Sequence, residues 1–143
     1  MDNKVKDLDF KVFVEGDACF FVYFDELSTR SILSSQAQAV KVLNEQKIDI
    51  VPFIIDLSNI DDQGVKVEVR DFGKIISSQA LFTRCSGVWI VGTKGITKVL
   101  ATILNKTFLE GRIHLVDSLE EAKTEAKELK HVKIPMLEQD DIT

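Results

Sequence analysis

A chain of 143 residues fits one domain of ordinary size and can bury most of its apolar surface without disulfides or a structural metal. The composition, 45% hydrophobic and 29% charged, is that of a globular protein, and no apolar run reaches the roughly 20 residues of a membrane span. A net charge of −5 favours solubility, and the phenylalanines lie in apolar runs rather than among Lys and Arg, so a nucleic-acid partner is not expected. Met1 to Phe10 carries five charges, so no signal peptide is expected and the chain should stay in the cytoplasm.

Leu8 to Val14 alternates loosely and predicts a strand. Glu15-Gly16-Asp17 is a turn signal, and Ala18 to Phe24 predicts a second strand, antiparallel to the first because the connection is short. Residues 30–46 predict a helix, with Ile32, Leu33, Gln36, Ala39, Val40 and Leu43 on one face. Ile50 to Leu57 is a continuous apolar run, the pattern of a central strand buried on both faces. Pro52 near its start costs few ladder bonds.

Val65 to Val69 alternates like a strand, yet Val65, Val69, Phe72 and Ile76 also form a helical stripe. The segment runs on to Ser78, too long for an ordinary strand, so a helix is expected there, with Gly73 as its weak point. Gly87 to Gly92 predicts a strand, residues 95–107 a helix, and Arg112 to Asp117 a strand. Ser118-Leu119-Glu120-Glu121 is a capping-box signature opening a last helix to Lys130, with Ala122 and Ala126 allowing close packing on the sheet. Residues 133–143 are expected to be a loose tail, leaving 1–132 as one domain. The order ββαβαβαβα implies an α/β mixed sheet: four mostly parallel strands, one antiparallel edge strand, and helices packed on the sheet.

This order, together with Asp56-Leu57-Ser58 and, shortly after it, Asp61-Asp62-Gln63-Gly64, is similar to that of the STAS/SpoIIAA-like family. Members such as anti-sigma-factor antagonists carry a strand ending in Asp-Leu-Ser, then Asp-Ser-Ser-Gly opening a helix. Here Asp56-Leu57-Ser58 matches the first part, and Asp61-Asp62-Gln63-Gly64 matches the second at its ends, after a shorter spacer. The resemblance implies a non-catalytic regulatory module that binds a protein partner through the loop 56–64 and the segment 65–78. It makes Asp56, Ser58, Asp61, Asp62 and Gly64 the candidate binding residues. In the family the residue after the second Asp is a serine whose phosphorylation releases the partner. Here it is Asp62, whose carboxylate carries about one negative charge where phosphoserine carries up to about two. A simpler role for Asp61 or Asp62 is to cap the next helix, and one for Ser58 is a local turn hydrogen bond.

Some SpoIIAA-like domains also look like carriers of apolar ligands. For such a role the mark would be a co-purifying ligand or an apolar cavity of at least roughly 300 Å3. A homo-oligomer stays open.

Other chemistries fit poorly. A receiver-type phosphoacceptor site would use Asp25, Glu26, Asp56 and Thr93, but Asp56 ends the second parallel strand and no Lys follows Val116. Gly92-Thr93-Lys94-Gly95 joins a strand to a helix and could hold a phosphate with Lys94 and Lys98, but it lacks the Walker pattern and reads more simply as a turn with a capped helix. Cys19 and Cys85 are far apart in sequence and read as small buried hydrophobes. His114 should face away from Ile113 and Leu115, His131 ends a helix, and Trp89 belongs to the core. No cofactor, metal or catalytic centre is expected.

Overall fold

The computed structural model describes residues 9–77, 79–106 and 112–128. The tail 133–143, His131, Ser78, and the expected helix ends at Thr107 and Lys130 lie outside the described residues.

Strands β1 (Phe10–Glu15) and β2 (Ala18–Tyr23) form the expected antiparallel hairpin, turning at Gly16 with φ +63°. A two-residue strand β3 (Leu27–Ser28) leads into helix α1 (Thr29–Glu45). Ser28 caps α1 reciprocally: its Oγ accepts from Ser31 N–H, and its own N–H donates to Ser31 Oγ, both at 3.0 Å. β4 (Val51–Asp56) runs parallel to β2, then β6 (Cys85–Val91) to β4, and β7 (Ile113–Val116) to β6. The sheet order is β1-β2-β4-β6-β7, four parallel strands and one antiparallel edge, as the sequence predicts.

Each crossover between parallel strands advances in the same direction across this sheet. The right-handed rule then puts every connecting helix on one face. That face carries α1, the short helices α2 (Phe72–Ile76) and α3 (Gln79–Phe82), and α4 (Ile96–Leu104). Helix α5 (Leu119–Glu128) follows the last strand and covers the other face, where Ala122 and Ala126 are buried against it. Glu121 N–H donates to Ser118 Oγ at 3.1 Å, while the Glu121 carboxylate reaches Asp117 N–H rather than Ser118 N–H.

Pairing along β4 slips between Val51 and Phe53, the position of Pro52, which has no N–H to give. The slip lets Cys85 share a core with Val88 and Ile90 despite its position in the alternation. Both cysteines are buried, and burial pushes the Cys19 thiol up to about 12 and the Cys85 thiol higher still, so neither is a nucleophile near neutral pH.

The helix expected over Val65 to Ser78 does not form as one element. Val65–Lys66 is a short strand, β5, paired in parallel with β3. Glu68 is extended, Val69–Asp71 make a 3-10 turn, and only Phe72–Ile76 is α-helical before α3. Three valines at alternate positions resist a helix, and Leu27–Ser28 supplies the strand partner that the segment cannot provide alone. Asp71 then restarts the helical path by accepting the Glu68 N–H at 3.3 Å.

On the α5 side Trp89 is fully buried, its ring stacked on His114 at 4.8 Å and its Nε1–H donating to Glu125 Oε1 at 3.0 Å. His114 thus faces away from Ile113, as the alternation predicts. Desolvation lowers the His114 pKa below 6.5; Glu125 opposes the shift and Arg112 adds to it. The folded state therefore takes up this proton less readily than the unfolded chain. The stability this contributes is present above pH 6.5 and is lost as pH falls through the folded pKa. Melting followed by the fluorescence of Trp89, the only tryptophan, should fall between about pH 7.5 and about pH 5.5. The fall should be smaller in His114→Gln; an equal fall would remove His114 from the account.

Candidate functional site

In open α/β sheets the loops after the carboxyl ends of parallel strands meet along one edge, where ligands and partners dock. Here those loops follow β2, β4 and β6, and every sequence-predicted binding residue lies among them.

Asp56 ends β4, and its Oδ1 accepts from Ser58 N–H at 3.0 Å and from Ser58 Oγ at 2.6 Å. Ser58 is thus the local turn hydrogen-bonder expected of it, with its side chain exposed. Buried Leu57 and Ile60 anchor the loop, and Leu57 N–H donates to the Val91 carbonyl at 2.9 Å. Asp61 Oδ1 accepts from Gly64 N–H at 3.1 Å, capping a 3-10 turn over Asp62–Gly64.

Asp62 acts at longer range than a next-helix cap. Its Oδ1 accepts from Ile96 N–H at 3.1 Å, so its carboxylate stands before the first turn of α4. Gly95, at φ +53°, leaves room for it: a Cβ there would come within 2.5 Å of Asp62 Oδ1. Thr97 Oγ1 takes the Lys94 N–H at 2.9 Å. The Gly92–Gly95 turn is therefore a capped helix start, with an aspartate from another loop where a phosphate would sit.

The sequence reading missed the other half of this edge. Asp25 lies in a γ-turn with φ +62°, in which Glu26 N–H donates to the Phe24 carbonyl at 2.5 Å. Gly64 packs directly on the Asp25 carbonyl, and a Cβ at Gly64 would overlap that oxygen. Thr29 Oγ1 donates to Asp71 Oδ2 at 2.9 Å, tying the 65–77 segment to the start of α1. The Thr29 hydroxyl, then the Glu68 N–H, hold the Asp71 carboxyl below its usual range. The turn at Asp25 and the Glu68–Asp71 bond are local; the Gly64–Asp25 and Thr29–Asp71 contacts join distant residues. Beside the loop, Phe24 and Ile96 stay exposed at 38% and 44%. Among the described residues, no group of three or more His, Cys, Asp or Glu could hold a metal ion, and no helix is long and apolar enough to cross a membrane.

Behind the edge, between the sheet and the helices α1, α2 and α4, lies a cavity of about 130 Å3. Phe21, Phe53, Ile90, Phe72 and Leu100 line it, with Gln36 as one of few polar residues. It falls short of the roughly 300 Å3 typical of larger-ligand pockets.

No family model matches the sequence, and no curated protein matches it. Solved structures similar in fold include the following two. The anti-sigma factor antagonist SpoIIAA in its unphosphorylated form is 10% identical, with a TM-score of 0.54 over 83% of this chain and 97% of that one. An uncharacterized protein of the DUF3478 family with a SpoIIAA-like fold, from Shewanella loihica PV-4, is 12% identical, with a TM-score of 0.55 over 82% of this chain and 91% of that one. The likeness at these identities is one of fold, and this chain has a STAS/SpoIIAA-like α/β fold.

The two glycines Gly64 and Gly73 separate tight packing from simple propensity. Gly64→Ala should destabilise the protein by about 2–3 kcal/mol, because backbone must move. Gly73→Ala meets nothing within 4 Å in helix α2 and should stabilise by about 0.4–1 kcal/mol. Urea unfolding of both variants checks the pair; equal midpoints would mean that the Gly64–Asp25 contact does not hold the loop.

Proposed function

We propose that this chain is a non-catalytic, cytoplasmic regulatory module that binds a protein partner through the loop 56–64 and the segment 65–77. Residues 1–132 would form its single domain and 133–143 a tail. One observation carries the reading: the loop is fixed from two sides and yet exposes its chemistry. Gly64 sits against the Asp25 carbonyl on one side, and Asp62 caps α4 on the other. A loop fixed in this way loses little entropy on docking. It offers the carboxylates of Asp25, Asp61 and Asp62, flanked by exposed Phe24 and Ile96. Carboxylates beside exposed apolar side chains suit a partner face of basic and apolar side chains.

Asp62 occupies the position that the resemblance gives to a phosphorylated serine. Its charge is permanent and is engaged with the dipole of α4. The module would then hold one state of the loop, and Ser58, exposed beside Asp56, would be the remaining hydroxyl open to modification.

Affinity capture with the full chain as bait tests this. Asp62→Arg should weaken capture of the partner by about tenfold or more, while the lost cap lowers stability by about 1 kcal/mol. Glu128→Lys, the same change of charge on α5 behind the sheet, should capture normally. A partner held equally well by the wild-type chain and by Asp62→Arg would overturn the docking surface.

A further inference from the structure

The cavity behind the docking edge has a polar group with nothing to bind. Gln36 is 7% exposed and lines the cavity from α1. Its Nε2–H donates to the Ile75 carbonyl at 3.1 Å. That carbonyl stands in the last turn of the short helix α2, where intrahelical donors run out. A carbonyl can only face the NH2 end of the amide, so the orientation of Gln36 is fixed. Oε1 is left buried, without a partner.

The other polar groups of the wall are satisfied. Ser35 Oγ donates to the Ile32 carbonyl at 2.7 Å, so the Tyr23 hydroxyl must be the donor to Ser35 Oγ at 2.6 Å. Thr97 Oγ1 donates to the Lys94 carbonyl at 2.8 Å and accepts from the Lys94 N–H at 2.9 Å. The lining is otherwise apolar and includes no charged residue. A water needs two to four polar partners, and this wall offers one open acceptor. The volume, about 130 Å3, is near the roughly 150 Å3 of an apolar cavity that takes up benzene.

We propose that this cavity binds a compact, uncharged, mostly apolar molecule with a single hydroxyl or N–H donor, which Gln36 Oε1 accepts. Ring or short-chain alcohols and phenols are the matching class. Charged ligands are rejected because nothing in the wall compensates a charge. A donor-free analogue of equal size fills the same space but leaves Oε1 unpaired. The cavity shares Leu57, Phe72 and Ile75 with the docking segment, but its acceptor, Gln36, lies on α1, so Gln36→Met tests the ligand and Asp62→Arg the partner separately.

Phenol and toluene, which exchange a hydroxyl for a methyl on the same ring, are the probes. Titration of the full chain by calorimetry and by NMR should give saturable phenol binding, with phenol shifting the Gln36 side-chain amide resonances more than toluene does. In Gln36→Met, which keeps the volume and removes the acceptor, the ratio of phenol to toluene affinity should fall about tenfold or more. Ala101→Leu, which places a larger side chain in the cavity wall, should lose both ligands. If Gln36→Met fails to fold, the amide shift in the wild-type chain decides by itself. Absence of saturable phenol binding up to about 10 mM, a scale at which even weak binders saturate, overturns the proposal. So does an unchanged affinity ratio in a folded Gln36→Met, or equal amide shifts with the two probes.

Discussion

Strand β4 has no face to give to water. Val51 and Phe53 turn toward the core beneath α1, while Pro52 and Ile54 are buried on the α5 side. A strand buried on both faces needs a neighbour on each edge and a layer over each face. β2 and β6 supply the edges as parallel strands, and parallel neighbours can be reached only by crossovers. Those crossovers bring α1, α2 with α3, and α4 onto one face, and α5 closes the other. The meeting of three loops at one edge is therefore a consequence of burying β4.

At that edge, rigidity comes from contacts rather than from secondary structure. Only short stretches of the 57–77 segment are regular: β5, two 3-10 turns and the five-residue α2. It is held by the Gly64–Asp25 contact, the Asp62 cap on α4, the Asp71–Thr29 bond and the β3–β5 pair. Each ties it to an element distant in sequence. A surface built in this way keeps its carboxylates exposed while its backbone is fixed.

Gln36 links this edge to the core. Where the expected long helix breaks off, in the last turn of α2, the Ile75 carbonyl takes a hydrogen bond from Gln36 of α1. The same amide then exposes an unpaired oxygen to an apolar cavity. One irregularity in the chain thus produces a helix–helix tie and an open acceptor, and the second follows from the first because an amide has two ends.

The sequence alone determined the order of the main strands and of most helices. Long apolar periodicity marked β2, β4, β6 and α1, and the Ser118–Glu121 spacing marked α5, because local pattern decides which elements can bury a face. It also pointed to the loop after β4, through Asp56-Leu57-Ser58 and Gly64. It could not decide the segment from Val65 to Ile76, where alternating valines and a helical stripe coincide and the partner strand, Leu27–Ser28, lies far away in the chain. Nor could it show that Asp62 caps α4, that Asp25 presses on Gly64, or that Gln36 is left with one free oxygen. Those are pairings between residues more than thirty positions apart. Nothing in the local composition near any of them encodes its partner, so only the folded arrangement of the crossovers could decide them.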